Sequence, residues 1–384
     1  MTRRDALRGL TLFLAQSPLW TAQQTNDPGA LPTIEEMINV FDFDPVCKAN
    51  TSKAAYEYVS GGGWDEWTLT RNREAFQKIT FRPRFLREVD RLDLSITLFG
   101  KQLPSPIFVA PTGTHGVVHA EGELATARAA GAANTLMVIS SSSSYPIEKI
   151  AAAATGPLWF QLYAAGDIAG TRERVERAIA AGCQAVCFTV DAPYAAPRER
   201  DFRNRLERPD SQRPARRARG APPPNSYGLD PRLTASLNWG FVDQLRSWVK
   251  EPVLIKGILT PEDALLAAEH GADGVVVSNH GGRYLDGDPS TIEVLPEIVD
   301  ALNGKIPVLI DSGFRRGTDV LKALAIGAKA VLVGRAPLWG LGAFGESGAR
   351  RVLEILRREL AWAMALAGRA NIASIDRSLI RIDP

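Results

Sequence analysis

The chain has 384 residues, 45% hydrophobic and 23% charged, a balance ordinary for a soluble globular protein and unlike that of a disordered tail. A formal charge of +2 gives no basic excess of the kind that nucleic acid recruits, so no nucleic-acid partner is expected. Three cysteines, Cys47, Cys183 and Cys187, form neither a disulfide framework nor a zinc pattern, and the latter two read as core filling beside a strand.

The chain opens on "TRRDALRGLTLFLAQSPLW", in which Arg3 and Arg4 precede a short apolar stretch. This resembles a twin-arginine export signal, and residues 1–31 are read as a leader. The stretch is too short to span a bilayer, so no integral membrane segment is expected. A loose, weakly amphipathic leader is the alternative, and "LWTAQQ" makes a poor cleavage site. A cytoplasmic protein and one exported already folded both remain open. From residue 32 one domain is expected to run to 384, helical over roughly 33–80 and extended over 81–100.

From about residue 105 short apolar runs alternate with helical stretches. The runs are "PIFVAPTG" (106–113), "TLMVISS" (135–141), "LWFQLY" (158–163) and "AVCFTVD" (185–191). Then follow "VLIKGI" (253–258), "GVVVSNH" (274–280), "VLIDSG" (308–313) and "AVLVGR" (330–335). Continuous apolar runs of this length suit parallel strands buried on both faces. Between them, "AEGELATARAAGAAN", "DALLAAEHGAD" and "TDVLKALAIGAKA" read as amphipathic helices. Eight such units predict an α/β fold, a closed (β/α)8 TIM barrel with an N-terminal helical extension. Between the fourth and fifth runs, an arginine- and proline-rich segment over about 203–238 reads as a solvated loop, with a lid over the site as the alternative.

Most runs end on a group able to do chemistry: Gln161, Asp191, Lys256, His280, Asp311, Arg335. In this barrel the C-terminal strand ends carry the active site. "DSGFRRGTDV" and "GRAPLW" follow the seventh and eighth strands, where a phosphate site commonly forms; Gly313 and Gly334 allow close backbone approach and arginines can clamp the anion. His280 ends the sixth strand, and Arg283 follows two glycines later, with Lys256 and Asp191 supplied by neighbouring strand ends and Arg198 by the loop after the fourth strand. A base beside two arginines and a lysine points to an anionic substrate that loses a proton, with Asp191 steadying the imidazole. "HGVVH" (115–119) has no carboxylate between its histidines, so no metal is expected. "SSSSS" (140–144) is no nucleophile elbow.

The stretches "SNHGGRYLDGDPSTIEVLPEI", "DSGFRRGTDVLKALAIGAKAVLVGR", "FQLY", "TVDAP" and "YEYVSGGGWDEWTLTRN" together resemble the FMN-dependent α-hydroxy acid oxidase and dehydrogenase family, from about Pro32 to the C-terminus. The resemblance implies FMN across the barrel mouth. Its ring would meet Pro111, Thr112 and Gly113, with Ser140, Gln161 and Thr189 on its polar edge and Ser278 lining the same pocket. Lys256 would sit near N1 and O2, where negative charge collects on reduction. Asp311, Gly313, Arg315, Gly334 and Arg335 would meet the phosphate end. Tyr58, Arg198 and Arg283 would bind the carboxylate of a small 2-hydroxy acid, Tyr163 its hydroxyl, and His280 would be the base. Oxygen or another acceptor would take the electrons, and a homo-oligomer, tetramer or octamer, is implied.

Four positions depart from the family's common pattern. Pro197 replaces the first arginine of a pair, Tyr284 a glutamine, and Ser312 a glycine. Gly113 stands where many oxidases carry alanine, which leaves the electron acceptor open. Isomerase chemistry on a phosphate ligand, or a silent binding barrel, would fit the barrel without needing this constellation.

Overall fold

The computed structural model describes residues 31–196, 198–206 and 233–383. The leader, Pro197 and most of the arginine-rich segment lie outside them. Residues 31–37 hold one short turn, Ile34–Glu36, capped where Glu36 accepts the Thr33 backbone N–H. From Ile38 onward the helices Phe43–Asn50, Lys53–Ser60 and Trp67–Glu74 precede a first strand, β1 (Ile79–Phe81). A hairpin follows, β2 (Ile96–Leu98) and β3 (Lys101–Leu103), paired antiparallel. Residues 81–100, expected extended, are mostly irregular between these short pieces.

The eight apolar runs form β4 (Ile107–Val109), β5 (Met137–Ser140), β6 (Leu158–Leu162), β7 (Val186–Thr189), β8 (Val253–Ile258), β9 (Gly274–Val277), β10 (Val308–Ile310) and β11 (Ala330–Val333). All neighbours pair in parallel, and β11 closes back on β4, giving the expected barrel. Helices between the strands start at sequence-encoded caps. Asp167 accepts the Gly170 N–H at one start, and Thr260 precedes Pro261, whose missing N–H costs nothing at that position. A last strand, β12 (Ile380–Ile382), pairs antiparallel with β1.

The barrel interior is packed, not hollow. Phe108, Val138, Trp159, Cys187, Leu254, Val276, Leu309 and Leu332, one from each strand, share a single buried cluster with Leu98 and Leu103 of the hairpin. The hairpin thus seals the N-terminal end with apolar surface, and side chains that do chemistry are confined to the opposite end. Cys47, Cys183 and Cys187 are free and buried, and burial pushes the Cys183 and Cys187 thiols up to about 12, as inert packing requires. Among the described residues, no helix is long and apolar enough to cross a membrane.

Candidate active site

At the C-terminal strand ends lies a cavity of about 680 Å³, with Tyr58, Tyr163, Lys256, His280, Arg283 and Arg315 in its wall. Its polar floor is built by register. Ser140 on β5 lies beside Gln161 on β6, so that Ser140 Oγ donates to Gln161 Oε1 at 3.1 Å. Gln161 Nε2 then donates to Thr189 Oγ1 on β7 at 2.9 Å. Gln161, Thr189, Ser278 and Asp191 are held behind the cavity wall, each hydrogen-bonded within this network or to a residue facing the cavity. Pro111, Thr112 and Gly113 form one rim. That rim is anchored by Glu123, whose Oε1 accepts the N–H groups of His115 and Ser144, both at 2.9 Å. His115 bonds through its Nε2 to Thr112 and through its Nδ1 to Thr126, so it serves as a buried hydrogen-bonding post under the rim. Sequence reading missed Glu123; its only signal was a carboxylate in an alanine-rich helical stretch.

His280 has a φ of 56°, and Gly281 and Gly282 follow at 69° each, so the chain turns sharply at the end of β9. A Cβ on Gly282 would come within 2.6 Å of the Leu69 backbone nitrogen, so only glycine lets the loop pass the helix Trp67–Glu74. His280 Nδ1 lies 2.9 Å from Asp191 Oδ1 and its Nε2 lies 3.0 Å from the Tyr163 hydroxyl. The carboxylate fixes the tautomer: Nδ1–H donates to Asp191, and Nε2 faces the cavity as an acceptor. Burial, with a further push from Lys256, holds the imidazole below the usual histidine range despite the opposing pull of Asp191. Asp191 is also buried, but the charges of His280 and Lys256 keep it below the usual carboxylate range. The pair is therefore a neutral imidazole on a carboxylate at neutral pH.

Two guanidiniums lie over the Tyr58 ring, Arg198 at 5.0 Å and Arg283 at 5.2 Å from its centroid. Arg283 Nη1 donates to the carbonyls of Tyr58 (2.7 Å) and Gly61 (3.1 Å), which aims the group across the cavity. Burial and the neighbouring Arg198 charge push Arg283 down to about 10, the mark of a cationic site built for an anion. Arg198 is held from the other side by Asp201, 2.8 Å from its Nε in a geometry that makes no hydrogen bond.

Opposite, Lys256 Nζ donates to Ser278 Oγ at 2.7 Å and lies 3.2 Å from Asp311 Oδ2. Burial works against the ammonium, but Asp311 and Asp191 outweigh it and raise the lysine above its ordinary value. Beyond it, Arg315 stacks on Trp339 at 4.4 Å, with its buried Nε lacking any partner. Burial and Arg73 push Arg315 down to about 10. Gly334 precedes a helix that starts at Arg335 and breaks at Phe344 and Gly345, and Gly334, Arg335 and Leu338 of its first turn line the same end of the cavity. Arg335 itself bonds the carbonyls of Val59, Gly61 and Gly281. An orphaned buried guanidinium nitrogen beside a helix N-terminus fits a phosphate group. The Ser140–Gln161–Thr189 chain and the buried lysine would hold the polar edge of a flavin ring, and the Pro111–Gly113 rim would pack against it. The residues present thus fit FMN.

Fold and site together define a barrel oxidoreductase built around a phosphate-bearing cofactor. Residues 47–382 match the FMN-dependent dehydrogenase family, and the chain belongs to that family; its cofactor is FMN. Among curated relatives, the peroxisomal (S)-2-hydroxyacid oxidase GLO3 of Arabidopsis thaliana is 42% identical, covering 91% of this chain and 98% of its own length. The L-lactate oxidase of Nostoc sp. is likewise 42% identical, over 92% and 100%. The crystal structure of mandelate oxidase with (S)-2-phenylpropionate superposes with a TM-score of 0.80 at 38% identity, covering 90% of this chain and 99% of that one.

Proposed function

We propose that this protein oxidises an L-2-hydroxy acid to the 2-oxo acid and passes the electrons to dioxygen, releasing hydrogen peroxide. The carrying observation is His280, held by Asp191 through Nδ1 and presenting Nε2 to a cavity flanked by two guanidiniums. When bound, FMN supplies the two-electron acceptor. Arg283 and Arg198, with Tyr58 between them, hold the substrate carboxylate, which fixes the acid's orientation. Tyr163, already on His280 Nε2, hydrogen-bonds the substrate hydroxyl. His280 takes a proton on Nε2, and the carboxylate of Asp191 stabilises the imidazolium so formed. Lys256 and Arg315 supply positive charge along the cofactor's length.

The choice of dioxygen rests on similar proteins named as oxidases, among them the Arabidopsis (S)-2-hydroxyacid oxidase, the Nostoc L-lactate oxidase and the spinach glycolate oxidase. The outer wall of the cavity carries Trp64, Tyr194, Phe202 and Tyr284, while Gly113 and Ser142 keep the opposite side small. This supports an acid with an apolar side chain bulkier than that of glycolate. Exposed Phe85, Leu86, Trp362 and Leu366 support assembly with further copies of the chain, a homo-oligomer that light scattering would register.

The test is anaerobic. Flavin-loaded protein is mixed with a panel of L-2-hydroxy acids, bleaching of the flavin is followed, and air is then admitted. Bleaching by L-acids and fast recolouring with peroxide release are expected. No bleaching by any acid would refute the reaction, and slow recolouring would refute oxygen as acceptor.

A further inference from the structure

Ser312 sits directly after Asp311 at the end of β10, only 8% exposed, with a φ of 77°. That is the left-handed region, which serine adopts reluctantly and glycine readily. A non-glycine residue in such a conformation at a site is retained when its side chain does something glycine would not.

Its hydroxyl makes two contacts. Ser312 Oγ donates to Asp311 Oδ1 at 2.7 Å and accepts the Gly281 N–H at 3.0 Å. Asp311's other oxygen lies 3.2 Å from Lys256 Nζ, Lys256 donates to Ser278 Oγ at 2.7 Å, and the same Ser278 Oγ accepts the His280 N–H at 3.1 Å. The contacts close into a ring. It leaves the loop at the Gly281 amide, passes through Ser312, Asp311, Lys256 and Ser278, and returns at the His280 amide. Two consecutive N–H groups of the loop are thereby pinned, one from each end of the buried ion pair. The loop needs this, because His280, Gly281 and Gly282 all have positive φ and glycines impose little conformational preference of their own.

We propose that Ser312 is a positioning residue: its hydroxyl ties the Gly281 amide to the Asp311 carboxylate, so that the placement of His280 and the charge balance at Lys256 are set by one hydrogen-bonded ring. This rests on His280 being the base and Lys256 facing the flavin. Without the hydroxyl, Asp311 loses a donor that spreads its negative charge, and the surroundings of Lys256 become more negative. A flavin that gains negative charge on reduction is then harder to reduce. The loop also loses the anchor of its Gly281 amide, which harms the placement of the base more than the binding of the acid.

The test compares Ser312→Gly and Ser312→Ala with wild type. Both remove the hydroxyl, but only the glycine variant relieves the backbone. Both are expected to lower kcat about tenfold, the effect of one lost hydrogen bond, with KM within about twofold. Both should shift the flavin midpoint potential to more negative values. The thermal midpoint of the flavin-free protein should rise or hold in the glycine variant. The proposal is overturned if the glycine variant keeps wild-type kcat and potential, which would show that the hydroxyl is dispensable. It is also overturned if KM rises several-fold while FMN affinity and kcat fall, the pattern of a structural defect. His280→Gln serves as the parent control: if it still bleaches at the wild-type rate, the assignment of the base fails, while the potentials of the Ser312 variants still judge the ring.

Discussion

Gly257 lies against Asp191 so closely that a Cβ on the glycine would fall 2.6 Å from Asp191 Cβ and 2.7 Å from its Cγ. The glycine has a φ of 106°, and the β8–β9 register shifts between Lys256 and Ile258 around it. This bulge makes room for the carboxylate that holds His280. Gly257→Ala is therefore expected to displace Asp191 and lower kcat at least about tenfold with FMN still bound, much as Asp191→Ala would. Stability should fall by about 1–2 kcal/mol from the left-handed backbone alone. Single-turnover flavin reduction and thermal unfolding check the two parts; an alanine variant with wild-type reduction would show that Asp191 tolerates displacement.

The depressed His280 sets the pH behaviour. A base whose pKa lies below the ordinary 6.5 stays competent as the pH falls through 6.5, so the acid limb of kcat/KM belongs below that value. Asp191→Asn removes the carboxylate that pulls the imidazole upward, so the limb should move lower still while kcat drops. Asp288 is pushed up to about 6 by burial and by Asp191 and Asp286, and Asp288→Asn should remove any inflection there without moving the lower limb. For stability, the unfolded histidine binds a proton that the folded one resists. The contribution is thus present above 6.5 and is lost as pH falls toward the lower folded pKa. Asp191 acts in the same direction but only below 3.8, its ordinary value. Urea titrations at pH 7.5 and 5 should show His280→Gln gaining on wild type at the lower pH.

Arg283 is partly buried and carbonyl-anchored, whereas the Arg198 side chain keeps 25% exposure and leans on Asp201. Arg283→Lys should cost about 2–3 kcal/mol in kcat/KM, roughly a hundredfold, because an ammonium cannot reproduce the guanidinium fork. Arg198→Lys should cost less. Steady-state kinetics with a 2-hydroxy acid and its carboxamide separate the effects, since the arginine variants should discriminate the two poorly.

On the opposite rim, a Cβ at Gly113 would lie 3.0 Å from the Ser142 carbonyl oxygen and 3.1 Å from its Cβ, so the Ser142 turn must give slightly. Gly113→Ala and Ser142→Phe should both lower kcat/KM for aryl or long-chain acids more than for lactate. Equal losses across the series would place the side-chain pocket elsewhere.

The eight strands were legible because burial on both faces demands continuous apolar runs, and parallel strands need helices between them. The residues at the ends of those runs were legible for the same reason: a polar group closing such a run has few places to point except the barrel mouth. His280 and Arg283 could thus be read directly from "SNHGGR". Gly257 could not, because its role depends on the approach of Asp191 from the adjacent strand. Glu123 stayed hidden too, and of Ser312 only its replacement of a glycine was visible and not its role, since their partners lie across loops that sequence spacing does not relate.

The division has a physical basis. Chain periodicity dictates which residues become strand and which end each strand, and so which chemical groups gather at the mouth. Barrel closure dictates the distances. Only when β11 pairs with β4 do the strands carrying Asp191, Lys256, His280 and Asp311 curve around one centre, and only then can hydrogen bonds of about 3 Å between them select a tautomer, a charge state and a loop conformation.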